Sequence, residues 1–313
     1  MTLQAFLKLV EIRTKVASML PFLAGIFFAL YRFNAFNALN SVLFFICLIC
    51  LDMFTTALNN YSDHKKAIIK EGYGYERHNA IKAYDLSLRT VERILFILVS
   101  LAVVFGLILF LRTSISILFI GMLAFLIAGA YSYGPAPINH TPYGEMMSGI
   151  LMGGFIFFVS VTIQSDINVL ILWNSLESTV LIRYKEILVI CLASLPFILA
   201  ISNLMLANNI CDVEDDILNK RYTLVSYVGK RRSLILFSSA YIILFMWAIL
   251  LSIMGIYPRI SIPFILITAV PVFRNVRVFV DRPSKAETFE RAVYNLILIG
   301  VCIISSLLLG ILL

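Results

Sequence analysis

The stretch ILVICLASLPFILAISNLMLA, residues 187–207, runs without a break into NNICDVEDD, residues 208–216. The first part is 21 residues without a charge. At 1.5 Å per residue, such a helix is about 30 Å long, the thickness of a bilayer's hydrocarbon core. The second part places Asp212, Glu214, Asp215 and Asp216, four of the chain's 18 acids, within five residues at that helix's end. Ionised side chains beside an apolar span are costly, so a cluster of this kind calls for a use.

The rest of the chain repeats the first half of this pattern. Of 313 residues, 61% are hydrophobic and only 14% charged, with a mean hydropathy of +0.95. A soluble domain carries about 45–50% apolar and about 25% charged residues. Apolar runs at 16–31, 39–57, 93–111, 115–133, 146–164, 187–207, 234–254, 260–280 and 293–313 predict nine spans. The eighth is the weakest, since Pro263, Pro271 and Arg274 lie inside it. The composition thus predicts an all-α integral membrane protein. The basic N-terminal stretch of Lys8, Arg13 and Lys15 leads into a full-length span without a cleavage site, so no removable signal is expected.

The net charge of +7 does not point to nucleic acid in such a chain, because cytoplasmic loops of membrane proteins collect Lys and Arg. Taken by alternate connections, 20 of the 25 basic residues fall on one side and five on the other. That predicts a cell (inner) membrane protein with a cytoplasmic N-terminus and an external C-terminus. The five cysteines include the pair Cys47 and Cys50, but with no further Cys or His near them neither a metal site nor a disulfide framework is implied.

A weak internal repeat lies on the predicted cytoplasmic face. Span 2 ends in LNNYSDHKK, residues 58–66, and span 6 in NNICDVEDD, 149 residues later. Both carry Asn-Asn with an Asp four residues after the first Asn. Residues four apart share one helix face, so Asn59 aligns with Asp63, and Asn208 with Asp212 and Asp216. Carboxylates stacked in this way repel one another and require a cation. Hard oxygen donors of carboxylates and amides suit Mg²⁺, which takes one or two carboxylates and shares phosphate oxygens. Lys65 and Lys66 follow the first cluster, and Lys220 and Arg221 the second, ready to offset further phosphate charge.

These segments resemble the paired N-x-x-x-D and D-x-x-x-D motifs of the UbiA superfamily of intramembrane prenyltransferases. The second motif continues similarly through NKRYTL, residues 219–224, to Gly229-Lys230. YSYGPAP, residues 131–137, followed by Gly144-Glu145, resembles the loop after span 4 in the branch that uses 1,4-dihydroxy-2-naphthoate. The entry EIRTK, residues 11–15, is similar to that branch's first helix but lacks its usual Arg-Pro. A further departure is that the Asp often found four to six residues beyond Asp63 is replaced by Ala67 and Ile69, which leaves Glu71 or Glu76 as substitutes.

The resemblance implies one domain over residues 1–313, a helical bundle around a central cavity, capped by cytoplasmic segments about 58–92 and 208–233. It implies Mg²⁺-dependent transfer of a polyprenyl chain from an allylic diphosphate to 1,4-dihydroxy-2-naphthoate, with loss of CO₂ and diphosphate, giving demethylmenaquinone. Asp63, Asp212 and Asp216 are the implied catalytic residues, and with Asn59 and Asn208 the metal ligands. Asn59, Lys65, Lys66, Arg77, Asn208, Lys220, Arg221, Tyr131 and Arg13 are the implied substrate contacts, with Arg13, Lys65 or Arg77 for the acceptor's carboxylate. Arg274, Arg277 and Arg282 are assigned to anionic headgroups, Arg274 also being a candidate diphosphate contact. The rivals are another acceptor (4-hydroxybenzoate, haem, homogentisate or a glycerol phosphate) and, in a different class, a secondary transporter. No obligate protein partner is expected.

Overall fold

The computed structural model describes residues 1–66, 79–132, 134, 137–164, 171–174 and 179–313. Among these are nine helices long and apolar enough to cross a membrane. They are α1 (Val16–Phe33), α2 (Ala38–Lys66), α3 (Leu88–Arg112), α4 (Ile115–Ser132), α5 (Gly144–Thr162), α6 (Tyr184–Leu218), α7 (Lys230–Ile253), α8 (Ser261–Asp281) and α9 (Phe289–Leu312). The protein is a multi-pass, all-α membrane protein, as its composition predicts. One small antiparallel hairpin, β1 (Ile171–Asn174) with β2 (Thr179–Ile182), lies in the α5–α6 connection and has no counterpart in the sequence reading.

The eighth span forms despite its prolines. Pro263 falls in the first turn of α8, where the missing N–H has no helical partner to lose, and only Pro271 interrupts the ladder. In α6 the cost of Pro196 is met from outside the helix. A proline there leaves the carbonyl four residues back, Leu192, without its donor. The Trp247 indole donates to that carbonyl at 3.1 Å, and the Tyr257 hydroxyl donates to Ala193 O at 2.6 Å.

Two helices overrun the predicted span ends. α2 has 29 residues and α6 has 35. At 1.5 Å per residue these are about 44 and 52 Å long, against about 30 Å of hydrocarbon. The excess is helical, so both Asn-Asn motifs sit on rigid helix ends and not in the loops at 58–92 and 208–233 where the cap was expected to begin.

The largest core cluster joins α1, α5, α6, α7, α8 and α9, while a smaller one joins α1 to α2, α3, α4 and α5. Close backbone approach fixes α5 on α6. A Cβ at Gly149 would stand 2.4 Å from Ile198 O, and one at Gly153 2.5 Å from Ile198 N. This is the small-x-x-x-small packing expected where lipid supplies no hydrophobic drive between helices. α4 is the least enclosed helix, with 11% of its span buried.

One charge pair is buried within this frame. Lys15 Nζ contacts Asp52 Oδ1 at 2.6 Å and Thr56 Oγ1 at 2.8 Å, while Ser18 Oγ donates to Asp52 Oδ2 at 2.5 Å. Asp52, the acid that lies well inside span 2, is thus neutralised by a residue counted in the sequence with the N-terminal basic stretch. Lys15→Met leaves Asp52 as an unpaired buried charge and should cost about 3–5 kcal/mol. Lys15→Met combined with Asp52→Leu should recover most of it. Thermal unfolding of the detergent-solubilised variants reads both, and a double variant no better than the single would refute a stabilising pair.

Candidate functional site

A cavity of about 1750 Å³ opens between the two core clusters. One end is lined by Asn59 and Asp63 from α2, Asn208, Asp212, Asp215 and Asp216 from α6, and Arg221 and Lys285 beyond them. The other end is apolar, built from Phe44 and Leu48 of α2, Val103 and Leu107 of α3, Ile117, Met122 and Phe125 of α4, and Phe155 and Val159 of α5. Its volume exceeds the roughly 300–1,000 Å³ of a typical small-molecule pocket.

The two motifs face one another across the polar end. The charges that act on Asp216 are Arg221, Asp212, Lys285 and Asp63, so α2's carboxylate lies within the field of α6's. Arg221 Nη1 is 3.6 Å from Asp216 Oδ1, and Asp216 Oδ2 is buried without a hydrogen-bond partner among the described residues. Lys285 Nζ donates to Asp212 Oδ2 at 2.6 Å and to Asn208 Oδ1. Asn208 Nδ2 in turn donates to Asp212 Oδ2 at 3.2 Å, the i,i+4 alignment read from the sequence.

The two asparagines of each motif divide their work. Asn59 and Asn208 line the cavity. Asn60 and Asn209 are buried, and each donates to a glutamate from another element: Asn60 Nδ2 to Glu11 Oε1 at 3.2 Å, Asn209 Nδ2 to Glu145 Oε1 at 2.8 Å. Asn60 also accepts from Ala80 N at 3.1 Å, tying the chain beyond the first motif back onto α2. The repeat is therefore structural as well as chemical: the first Asn of each pair lines the cavity and the second braces the scaffold, with Asn60 reaching the lining as well.

Asn139 joins the halves. Its Nδ2 donates to Asn59 Oδ1 at 3.0 Å, and its carbonyl accepts from Arg221 Nε at 3.3 Å. Sequence reading missed Asn139, which lies just past the YSYGPAP segment, and missed Lys285, which was counted only among the basic residues of its connection. Arg274, assigned to anionic headgroups and named also as a candidate diphosphate contact, is exposed on α8 and does not line the cavity, whereas Lys285 does. Of the other expected contacts, Arg13 and Tyr131 line the cavity and Lys65 stacks on the Tyr61 ring at 4.4 Å. Lys220 is exposed, outside the cavity lining, with its backbone left-handed at φ 57°. Lys66 closes α2; Arg77, Glu71 and Glu76 lie outside the described residues.

A model described as the UbiA prenyltransferase family matches residues 18–309. The chain belongs to the UbiA prenyltransferase family. It is thus a prenyltransferase, and the transporter reading is set aside. Among curated proteins, 1,4-dihydroxy-2-naphthoate octaprenyltransferase of Bacillus subtilis (strain 168) is 27% identical over 253 residues, 80% of this chain and 75% of that protein. A UbiA homologue from Archaeoglobus fulgidus, solved bound to GPP and Mg²⁺, superposes with a TM-score of 0.69 at 12% identity, covering 99% of this chain and 100% of that one. The apo UbiA homologue from Aeropyrum pernix K1 also gives 0.69, at 17% identity, covering 93% and 97%.

In this prenyltransferase, the polar end has the donor set of a hard cation. Asn208 Oδ1 and Asp212 Oδ2 already converge on one cation, the Lys285 ammonium, and Asp216 Oδ2 lacks a partner. Among the described residues no three of His, Cys, Asp and Glu gather closely enough to hold a metal by themselves. An ion that takes one or two carboxylates and completes its shell with phosphate oxygens and water fits such a sparse site.

The division of the asparagines is testable. Asn209→Ala strands the buried Glu145 and should cost about 1–3 kcal/mol, seen as a lowered unfolding temperature. Asn208→Ala should leave that temperature within a degree or two, by about 0.5 kcal/mol or less, while lowering transferase activity. Equal effects of both on stability would overturn the assignment.

Proposed function

We propose that the protein transfers a polyprenyl chain from an allylic diphosphate to 1,4-dihydroxy-2-naphthoate, the carboxylate leaving as CO₂ and diphosphate as the second product, to give the prenylated naphthoquinol that oxidises to demethylmenaquinone. The observation that carries this reading is the single cavity with carboxylates, amides and cations at one end and only apolar walls at the other. A diphosphate with an isoprenoid tail has the same division. The named acceptor of the Bacillus subtilis relative supports the naphthoate over other aromatic acceptors. With the 20:5 distribution of basic residues, the polar end is assigned to the cytoplasmic side of the cell membrane, and residues 1–313 to one domain.

Asn59, Asp63, Asn208, Asp212 and Asp216 are the residues proposed to hold Mg²⁺. Bound there, Mg²⁺ supplies Lewis-acid stabilisation of the departing diphosphate. Arg221, anchored between Asp216 and the Asn139 carbonyl, presents a fixed positive charge where negative charge develops on the leaving group. As the carbon–oxygen bond breaks, the allylic carbon becomes cationic, and the faces of lining aromatics such as Tyr131, Phe155 and Tyr294 can stabilise it. The short helix Leu3–Leu9 and the turn after it place Leu7, Lys8 and Glu11 in the cavity lining, covering it from water, which would quench that cation. Arg13, also in the lining, is placed to receive the acceptor's carboxylate.

The reading is tested with purified protein in nanodiscs, geranylgeranyl diphosphate, 1,4-dihydroxy-2-naphthoate and Mg²⁺, following product by mass spectrometry. Prenylated naphthoquinone should form, vanish with EDTA and fall at least about 100-fold in Asp212→Ala, consistent with removal of a main electrostatic group. Product with a different aromatic acceptor alone would overturn the naphthoate assignment.

The apolar limb makes a second, separate prediction. A Cβ added at Gly121 of α4, which lines the cavity, meets nothing within 4 Å. Gly121→Phe should therefore fold normally and shift preference toward shorter donors, with geranyl diphosphate gaining on geranylgeranyl diphosphate by about tenfold or more, the worth of one or two buried methylenes. An unchanged donor preference would place the tail elsewhere.

A further inference from the structure

Lys285 stands at the tip of the connection between α8 and α9. The backbone that carries it is tied down: Ser284 N donates to Thr288 Oγ1 at 2.9 Å, Thr288 Oγ1 donates to Arg282 O at 2.8 Å, and Arg282 pairs with Glu287 at 3.2 Å. Thr288 itself is buried. The side chain is about a third exposed, passes the Phe289 ring at 4.9 Å, and ends at Asp212 Oδ2 and Asn208 Oδ1. A fixed backbone thus carries a four-carbon arm whose charge can move while its root does not.

The two oxygens that accept from Lys285 are the ones assigned to a divalent ion on α6. An ammonium and a divalent cation repel and cannot share those lone pairs. We propose that Lys285 is an exchangeable internal cation and a diphosphate-binding residue: without substrate it neutralises Asp212 and donates to Asn208 Oδ1, and when a divalent ion takes those oxygens its ammonium moves onto an oxygen of the incoming diphosphate. This rests on the prenyl-diphosphate reading above. The exchange keeps a cation on the α6 oxygens in both states. It also couples the two ligands, because the ion displaces the lysine and the diphosphate gives the displaced charge a partner.

A plain structural salt bridge makes a different prediction, and binding measurements separate the two. Lys285→Met keeps the length of the arm and removes the charge. Mn²⁺ titrated alone into the detergent-solubilised protein, read by electron paramagnetic resonance, should bind about tenfold more tightly to Lys285→Met than to the wild type. Geranylgeranyl diphosphate in the presence of saturating Mn²⁺, read by calorimetry, should bind about tenfold more weakly, the loss of one charge-assisted hydrogen bond. Lys285→Arg should restore most of the diphosphate affinity. Opposite shifts of the two affinities support the exchange. Both weakening together, as for a locally disordered variant, or either remaining unchanged, overturns it. If the wild type itself binds no geranylgeranyl diphosphate, the donor assignment fails and this inference with it, whereas normal wild-type binding with an unaffected Lys285→Met removes the inference alone.

Discussion

Like charge gathered at the end of an apolar helix is stable only against cations, and the site end of this molecule is arranged around that constraint. Asp63 on α2 and Asp212 on α6 both bear on Asp216 at one end of the cavity. Two basic side chains answer them, Arg221 at Asp216 and Lys285 at Asp212, and both come from segments outside α2 and α6. Those contacts do more than offset charge. They hold the α6–α7 and α8–α9 connections over the cavity, so that the electrostatics of the acidic end also shapes its walls. Deeper in, Lys15 and Asp52 repeat the solution in largely buried form and pin the N-terminal turn to α2.

Rigidity of the site follows from helix length. Because α2 and α6 run on past the hydrocarbon, the motif side chains project from ordered helix and not from loops, and the i,i+4 spacing becomes a real line of ligands. Each helix end is then locked by its second asparagine to a glutamate elsewhere in the chain. Glu145 lies six residues from Asn139 on one short stretch, so the same segment braces α6 through Asn209 and reaches α2 through Asn59. Close glycine contacts between α5 and α6 keep that stretch in place.

The fold was largely legible in the sequence because hydrophobic run length is a local property. All nine spans form, even the proline-bearing eighth, whose first proline falls where no hydrogen bond is lost. The acidic residues of the site were legible for a similar reason: repetition of Asn-Asn with Asp at a fixed offset survives without knowledge of the fold. The basic half was not. Lys285 and Lys220 look alike in a charge count, since positive-inside bias supplies a reason for both, and only the packing of α8 and α9 against α6 turns one toward Asp212. Asn139 carried no local signal, because a bridging asparagine is defined by what lies on its two sides. Glu145 was seen as part of a motif but its partner was not, and Lys15 was counted only with the basic N-terminal stretch, not as the counter-ion of Asp52.

The asymmetry of the cavity also bears on how a transferase of this kind would turn over. Its substrate is joined from two parts that prefer different solvents, and the reaction separates them. A diphosphate released at the charged end would face Arg221 and Lys285 beside an acid-rich wall that favours its departure. The prenyl tail proposed for the apolar limb would lie along α3 and α4, where enclosure is weakest and large apolar side chains such as Leu107, Met122 and Leu126 both line the cavity and stand exposed. An apolar product gains nothing by crossing the polar end, since each charged group it passed would lose solvation in its company. The sparsely enclosed α3–α4 wall would then be the direct path to lipid for such a product, while the dense cluster of α1 and α5–α9 packs the opposite side.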